Sequence, residues 1–297
     1  MKQKVRFKRD ELTLVGNLFT PDNLNEDGQY KAIIVQGSFT SVKEQMPASY
    51  AEKFSGQGFV VLAFDYSHYG ESQGSPRQYE SYIEKTSDLK AAVSYLTGLP
   101  YVQGVTMVGI CTSAGNTAYL AGADLRIKAI ATVAAFLPTP ELFNMMYQAD
   151  GIAKRIEAGD EAKCKFEKND EETLIAAYSE TDPNAVNYMD RKGAFDYYLN
   201  EERGNVPNYT NGFNVTAWET MLAFDPITHA SQIEVPAMVV HSDESAFPDN
   251  AREFYRRLKG PKELVWADGN HYDYYDSDEQ IDNAVKNVGR FFNEHVK

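Results

Sequence analysis

Short apolar runs recur along this chain, and most of them end at a glycine, an acid or a polar turn. Ala32-Ile33-Ile34-Val35 stops at Gln36-Gly37-Ser38, and residues 59–64 stop at Asp65. Further runs cover 105–108, 127–135, 237–241 and 263–267. Runs this short and this continuously apolar predict strands buried on both faces. Residues 48–57, 84–96 and 278–296 lie between or after them and read as helices, with apolar residues at helical spacing in 84–96 and a closing amphipathic helix at 278–296. At the start, residues 4–8 alternate apolar and charged, and 13–19 form a second short run. This predicts an N-terminal antiparallel pair. Strands alternating with helices imply an α/β architecture with a mostly parallel central sheet flanked by helices.

The alternation breaks between 138 and 225. That stretch has few strand-like runs, many charges and an aromatic tail of Phe195, Tyr197, Tyr198, Tyr209, Phe213 and Trp218. It reads as a mostly helical insertion. Placed after a central strand pair, it caps the C-terminal edge of the sheet, where open α/β sheets bind ligands. The expected organisation is a core of 1–137 and 226–297 with a helical cap at 138–225.

Bulk properties narrow the function. A length of 297 residues suits one core with a sizeable insertion. A net charge of -14 and the lack of a basic stripe exclude nucleic acid as the expected partner. No apolar stretch follows Met1-Lys2-Gln3-Lys4-Val5, and no run is long enough for a membrane span, so a cytoplasmic protein without a membrane partner is expected. Cys111 and Cys164 lie in unlike contexts, which fits a reducing compartment. Neither C-x-x-C nor H-E-x-x-H occurs, so no metal site is expected.

The candidate chemistry centres on Val108-Gly109-Ile110-Cys111-Thr112-Ser113-Ala114-Gly115. A strand, a sharp turn and a helix with a nucleophile at the apex form the G-x-S-x-G type of elbow. Two frames fit here. Gly109-x-Cys111-x-Ser113 makes the thiol the nucleophile; Cys111-x-Ser113-x-Gly115 makes it Ser113. The short strand favours Cys111, and a thiol at a helix N-terminus is expected to have a lowered pKa. Of five histidines, His271 fits a general base best, because it follows the 263–267 strand through Asp268-Gly269-Asn270. An orienting acid should follow the preceding strand, where Asp243 and Glu244 both stand. Oxyanion donors are expected from the backbone of Thr112 and from Ser38 or Phe39 in the loop after 32–35. The order nucleophile, acid, histidine is that of the α/β-hydrolases.

These segments resemble the α/β-hydrolase superfamily, and most closely a dienelactone-hydrolase-like branch with a cysteine in the elbow that includes polyketide transferases. The similarity is carried by residues 37–46, Ala63-Phe64-Asp65 with Gly70-Glu71-Ser72, residues 109–115, Val240-His241-Ser242-Asp243, and the run 269–276. The resemblance implies a triad of Cys111, Asp243 and His271 and acyl chemistry without a cofactor. Two departures stand out. Thr-Ser-Ala-Gly follows Cys111 where dienelactone hydrolases carry paired glycines, and the usual acid position falls near Ser245. The expected activity is hydrolysis or transfer of an acyl group from a small-molecule ester, thioester or lactone. The competing expectations are a serine carboxylesterase using Ser113 and an inactive scaffold that binds small molecules. A homodimer formed through the cap is the one protein partner the pattern suggests.

Overall fold

The apolar runs meet in one eight-stranded sheet. The structure is a computed structural model and describes residues 1–296. Its strands are β1 (Lys2–Arg9), β2 (Leu12–Phe19), β3 (Tyr30–Gln36), β4 (Val60–Phe64), β5 (Val102–Ile110), β6 (Ile127–Val133), β7 (Ala237–His241) and β8 (Lys262–Trp266). They lie in the order β1-β2-β4-β3-β5-β6-β7-β8. Only β2 runs against the rest, pairing antiparallel with both β1 and β4. From β4 to β8 every pairing is parallel.

The continuous apolar character of these strands follows from burial on both faces. Ile33, Val35, Val61, Val108 and Ile110 pack on one side with Tyr50 and Phe54 of α1 (Met46–Gly56). Val285, Phe291 and Phe292 of the closing helix join that layer. Ala32, Ile34, Leu62, Val105 and Met107 pack on the other side, against α2 (Tyr82–Thr97) and α3 (Thr112–Ala121). Alternate residues of one strand therefore feed opposite layers, and each fully buried aliphatic side chain contributes about 1.5–3 kcal/mol.

The insertion begins with α4 (Pro140–Asn169), capped by the Thr139 hydroxyl, which accepts from the Leu142 N–H at 3.2 Å. Gln148 breaks it into two helical pieces, with φ 57° and ψ 166°. After Asn169 the expected mostly helical cap gives way to irregular chain. Two-residue strands pair Leu174–Ile175 with Phe213–Asn214 and Tyr178–Ser179 with Asn187–Tyr188. Turn formers such as Pro183, Gly193, Asn200, Gly204, Pro207 and Gly212 interrupt any helical run here. The aromatic residues of this tail pack on one another and on the core instead of along a helix face. Two further helices, α5 (Pro248–Arg257) and α6 (Asp278–His295), complete the core. No helix among the described residues is long and apolar enough to cross a membrane.

Candidate active site

Parallel pairing brings the ends of β3, β5, β6, β7 and β8 to one edge. Strand β5 runs two residues beyond the apolar run that marks it in the sequence, through Gly109 and Ile110. Cys111 then turns with φ 55° and ψ -119°, and α3 starts at Thr112. A non-glycine residue in this region is strained, and the neighbours hold it there. The Cys111 N–H donates to the Val133 carbonyl at 3.0 Å, and its carbonyl accepts from Ala114 and Phe136, each at 3.1 Å. The turn is so tight that a Cβ on Gly109 would lie 2.3 Å from the Ser113 carbonyl oxygen, and one on Gly115 would lie 2.3 Å from Phe224 Cζ. The small residues around Cys111 thus have a steric cause.

Cys111 stands at the apex and Ser113 does not. Ser113 is fully buried in the first turn of α3, its hydroxyl 3.2 Å from that of Tyr66. The Cys111 thiol opens into a cavity of about 560 Å³ between sheet edge and cap. Phe39, Phe136, Phe143, Tyr147, Tyr178, Tyr198, Tyr272 and Tyr275 give it largely aromatic walls, and Met146, Met189 and Met221 add flexible ones.

The backbone N–H groups of Thr112 and Phe39 both favour the ionised form of the Cys111 sulfur, and the Thr112 hydroxyl lies 3.7 Å from it. These are two of the three residues expected to supply oxyanion donors. The third, Ser38, does not line the cavity; its hydroxyl accepts from Tyr198 at 2.6 Å and its carbonyl accepts from Ser41.

The loop carrying Phe39 is held from both sides. On the core side, the buried Lys43 ammonium meets Asp65 at 2.7 Å and Glu71 at 2.8 Å, and Asp65 accepts the Lys43 N–H. The Gly70-Glu71-Ser72 pattern wraps the same carboxylate. Glu71 donates its N–H to Asp65, and Gly70 has φ +46° with no room for a Cβ beside it. On the cap side, Tyr178 reaches the Phe39 carbonyl, Tyr197 accepts the Met46 N–H, and Gln45 donates to the Gly204 carbonyl. Tyr178 and Tyr198 stack with centroids 3.8 Å apart.

His271 also reaches this edge, on a loop after β8 shaped by Gly269 at φ +109° and by Asp273, which accepts from the Asn270 N–H at 2.7 Å. Its partners differ from those expected. Nδ1 accepts the Ala246 N–H at 3.3 Å, so the ring proton sits on Nε2, 2.8 Å from the Tyr275 hydroxyl. The Tyr275 side chain also lies near the Cys111 thiol and favours its ionised form. A tyrosine therefore stands between thiol and imidazole.

Neither expected acid meets the ring. Asp243 is exposed and pairs with Arg252 at 2.5 Å, and Glu244 is exposed on the same loop. A backbone bridge sets Glu244 beside Asn270 without bringing its carboxylate to the ring. The Ala246 N–H fills the place meant for an acid. His241 ends β7 buried against Trp266, with both ring nitrogens unpartnered. His68 bonds the Pro76 carbonyl and lies off the cavity wall.

Burial dominates the electrostatics. It pushes the Cys111 thiol above its ordinary value, against the lowering effects of Tyr275, Thr112 and Phe39. The lowered thiol pKa expected from the helix end is thus overturned, because desolvation of the sulfur outweighs it. Burial, with a smaller contribution from His241, pulls His271 down to about 3. Thiol and imidazole are both neutral near pH 7. Among the described residues, Glu263, Glu294 and His295 alone are grouped closely enough to hold a metal ion; they lie on β8 and α6, away from the cavity wall, and Arg290 already engages both glutamates.

Tyr275, Ala246 and the Tyr178–Tyr198 stack escaped sequence reasoning. The one available signal was the density of tyrosines in 271–276, since Tyr275 lies four residues after His271 and faces it across the short helix Asp273–Asp276.

Known proteins agree with this architecture. The chain is 29% identical to the uncharacterized protein YcjY of Escherichia coli, with 99% of each chain covered. It is 25% identical to a thiohydrolase of Eupenicillium brefeldianum, covering 90% of this chain and 86% of that one. It is 22% identical to the polyketide transferase claH of Penicillium crustosum, covering 90% and 89%. The crystal structure of the α/β-hydrolase GrgF from a Penicillium species superposes with a TM-score of 0.85 at 21% identity, over 99% of both chains. Residues 10–273 match the X-Pro dipeptidyl-peptidase (S15) family. The chain is an α/β-hydrolase enzyme and belongs to the X-Pro dipeptidyl-peptidase (S15) family.

Proposed function

We propose that this protein takes an acyl group from a small-molecule thioester onto Cys111 and passes it to a second nucleophile or to water. The carrying observation is the Cys111 thiol at the apex of a strained turn at the foot of an aromatic cavity, where the Phe39 and Thr112 N–H groups favour its ionised form. In the reaction, the sulfur attacks the thioester carbonyl and the oxygen takes the negative charge. Two preorganised N–H donors stabilise that oxyanion. The tetrahedral intermediate collapses, the bond to the leaving sulfur breaks, and the leaving thiolate takes up the proton that Cys111 gave up.

The proton inventory favours thioesters over esters and amides. An alkoxide or amine leaving group needs a strong general acid, worth about 10²–10⁴-fold in rate. His271 is a poor one, because its imidazolium has no carboxylate to stabilise it and burial holds its pKa at about 3. A thiol leaving group has an ordinary pKa of about 8.5, far below that of an alcohol or amine, so its departure needs little acid assistance. Tyr275, bonded to His271 Nε2, lies near the sulfur and supports a thiolate once it forms. The thiohydrolase and polyketide-transferase names of two relatives support the same substrate class.

The test is incubation with hexanoyl-N-acetylcysteamine, following thiol release and the intact mass of the protein. Thiol release with a hexanoyl adduct on Cys111, both lost in Cys111→Ala, is expected. Faster cleavage of the matched oxygen ester or p-nitroanilide than of the thioester would overturn the reading.

A further inference from the structure

The cavity that receives the acyl group has one cationic wall residue, Arg155 of α4. In a chain of net charge -14 an arginine normally finds an acid, and most here do: Arg9, Arg126, Arg203, Arg252, Arg256, Arg257 and Arg290 are all ion-paired. Arg6 and Arg191 lack an ion pair but are exposed to water, and Arg77, half-buried and also without an ion pair, spends its guanidinium donors on the Ser72, Gly74 and Gly70 carbonyls. Arg155 is half-buried and has no carboxylate partner among the described residues, its one hydrogen bond running to a backbone carbonyl.

Its guanidinium is held in place nonetheless. The plane lies 3.8 Å over the Tyr147 ring and 5.0 Å from that of Trp218. Nη1 donates to the Gly151 carbonyl at 3.1 Å, while Nε is buried without any partner. A half-buried cation with an unmet donor is costly to keep, and stacking orients the fork without satisfying its N–H groups. A fixed guanidinium with free donors suits bidentate recognition of carboxylate or phosphate.

We infer that Arg155 binds an anionic group of the substrate, a carboxylate or a phosphate, and so selects which thioester enters the cavity. The inference rests on the thioester reading of Cys111. The anion has two chemical sources: a carboxylate at the far end of the acyl group, or a phosphate on the carrier arm that leaves with the thiol.

Binding separates this inference from the chemistry. The Cys111→Ala protein is titrated by calorimetry with three thioesters: hexanoyl-N-acetylcysteamine, the adipoyl monothioester of N-acetylcysteamine, and hexanoyl-coenzyme A. One anionic probe is expected to bind about 10- to 100-fold tighter than the neutral one, the range of a charge-assisted hydrogen bond. Adding Arg155→Met should bring that ratio to about one, Arg155→Lys should keep part of it, and 0.5 M salt should reduce it. A preference for the adipoyl probe assigns the anion to the acyl group; a preference for coenzyme A assigns it to the carrier. Equal binding of all three probes, or a preference that survives Arg155→Met, overturns the inference. Failure of the wild-type protein to form a Cys111 adduct would instead overturn the thioester reading, and leaves the binding result standing by itself.

Discussion

The turn after β5 and the loop after β7 sit on the same sheet edge and were both expected to supply a triad member. The first keeps its chemistry. Cys111 is locked at φ 55° by backbone hydrogen bonds to Val133, Ala114 and Phe136, and glycine at 109 is sterically required. The second offers no side chain to His271. Its acids turn to solvent and to Arg252, and only the Ala246 N–H reaches the ring. The site thus fixes its thiol in a tight turn while offering no carboxylate to an imidazolium. What remains suits a leaving group that needs no strong acid.

The comparison breaks most readily at the first turn. Cys111→Ala should lower thioester turnover by about 10³-fold or more, since the covalent step disappears; steady-state thiol release measures it. Gly109→Ala should cost about 3 kcal/mol of stability or more, because its Cβ would overlap the Ser113 backbone. Chemical denaturation would record that loss, and a variant as stable as wild type would refute the steric account of the turn.

Removing the tyrosine between thiol and imidazole sharpens the contrast. Tyr275→Phe should lower turnover by about 10- to 100-fold and raise the pH at which the thiol reacts with iodoacetamide. The second readout matters, because a merely structural tyrosine would leave the thiol's titration where it was. The pH profile of the wild type carries the same logic. His271 is neutral above about 3, so kcat/KM should show no inflection between pH 5 and 7. It should rise instead with ionisation of the thiol, which burial places above its ordinary value.

The smallest effects should come from the loop after β7. Asp243→Asn and Glu244→Gln should each leave turnover within about twofold, because neither carboxylate touches His271. A loss of about 10³-fold in either would restore a carboxylate to the mechanism.

The parts of this site that were legible in the sequence are those written in local pattern. Apolar runs placed β3, β4, β7 and β8, and small residues about Cys111 marked the turn. His271 reaches the cavity wall because it follows a strand through a glycine. The orienting acid was misplaced because loop direction after β7 is set by tertiary contacts: Arg252 of α5 draws Asp243 outward, and the Ser242 hydroxyl bonds Ser245 and the Gly269 carbonyl. Thiol pKa was misjudged for a similar reason. A helix end is visible in sequence, whereas the aromatic cap that desolvates the sulfur is assembled from residues 136–275. The cap itself was read as helical from its charges, although its second half is organised by tyrosines that hold the Phe39 loop.

The most direct measurement is peptide mapping by mass spectrometry after brief exposure to hexanoyl-N-acetylcysteamine. The account predicts a hexanoyl group on Cys111 and none on Ser113. An adduct on Ser113, or thiol release with Cys111 left unmodified at every time sampled and intact turnover in Cys111→Ala, would contradict it.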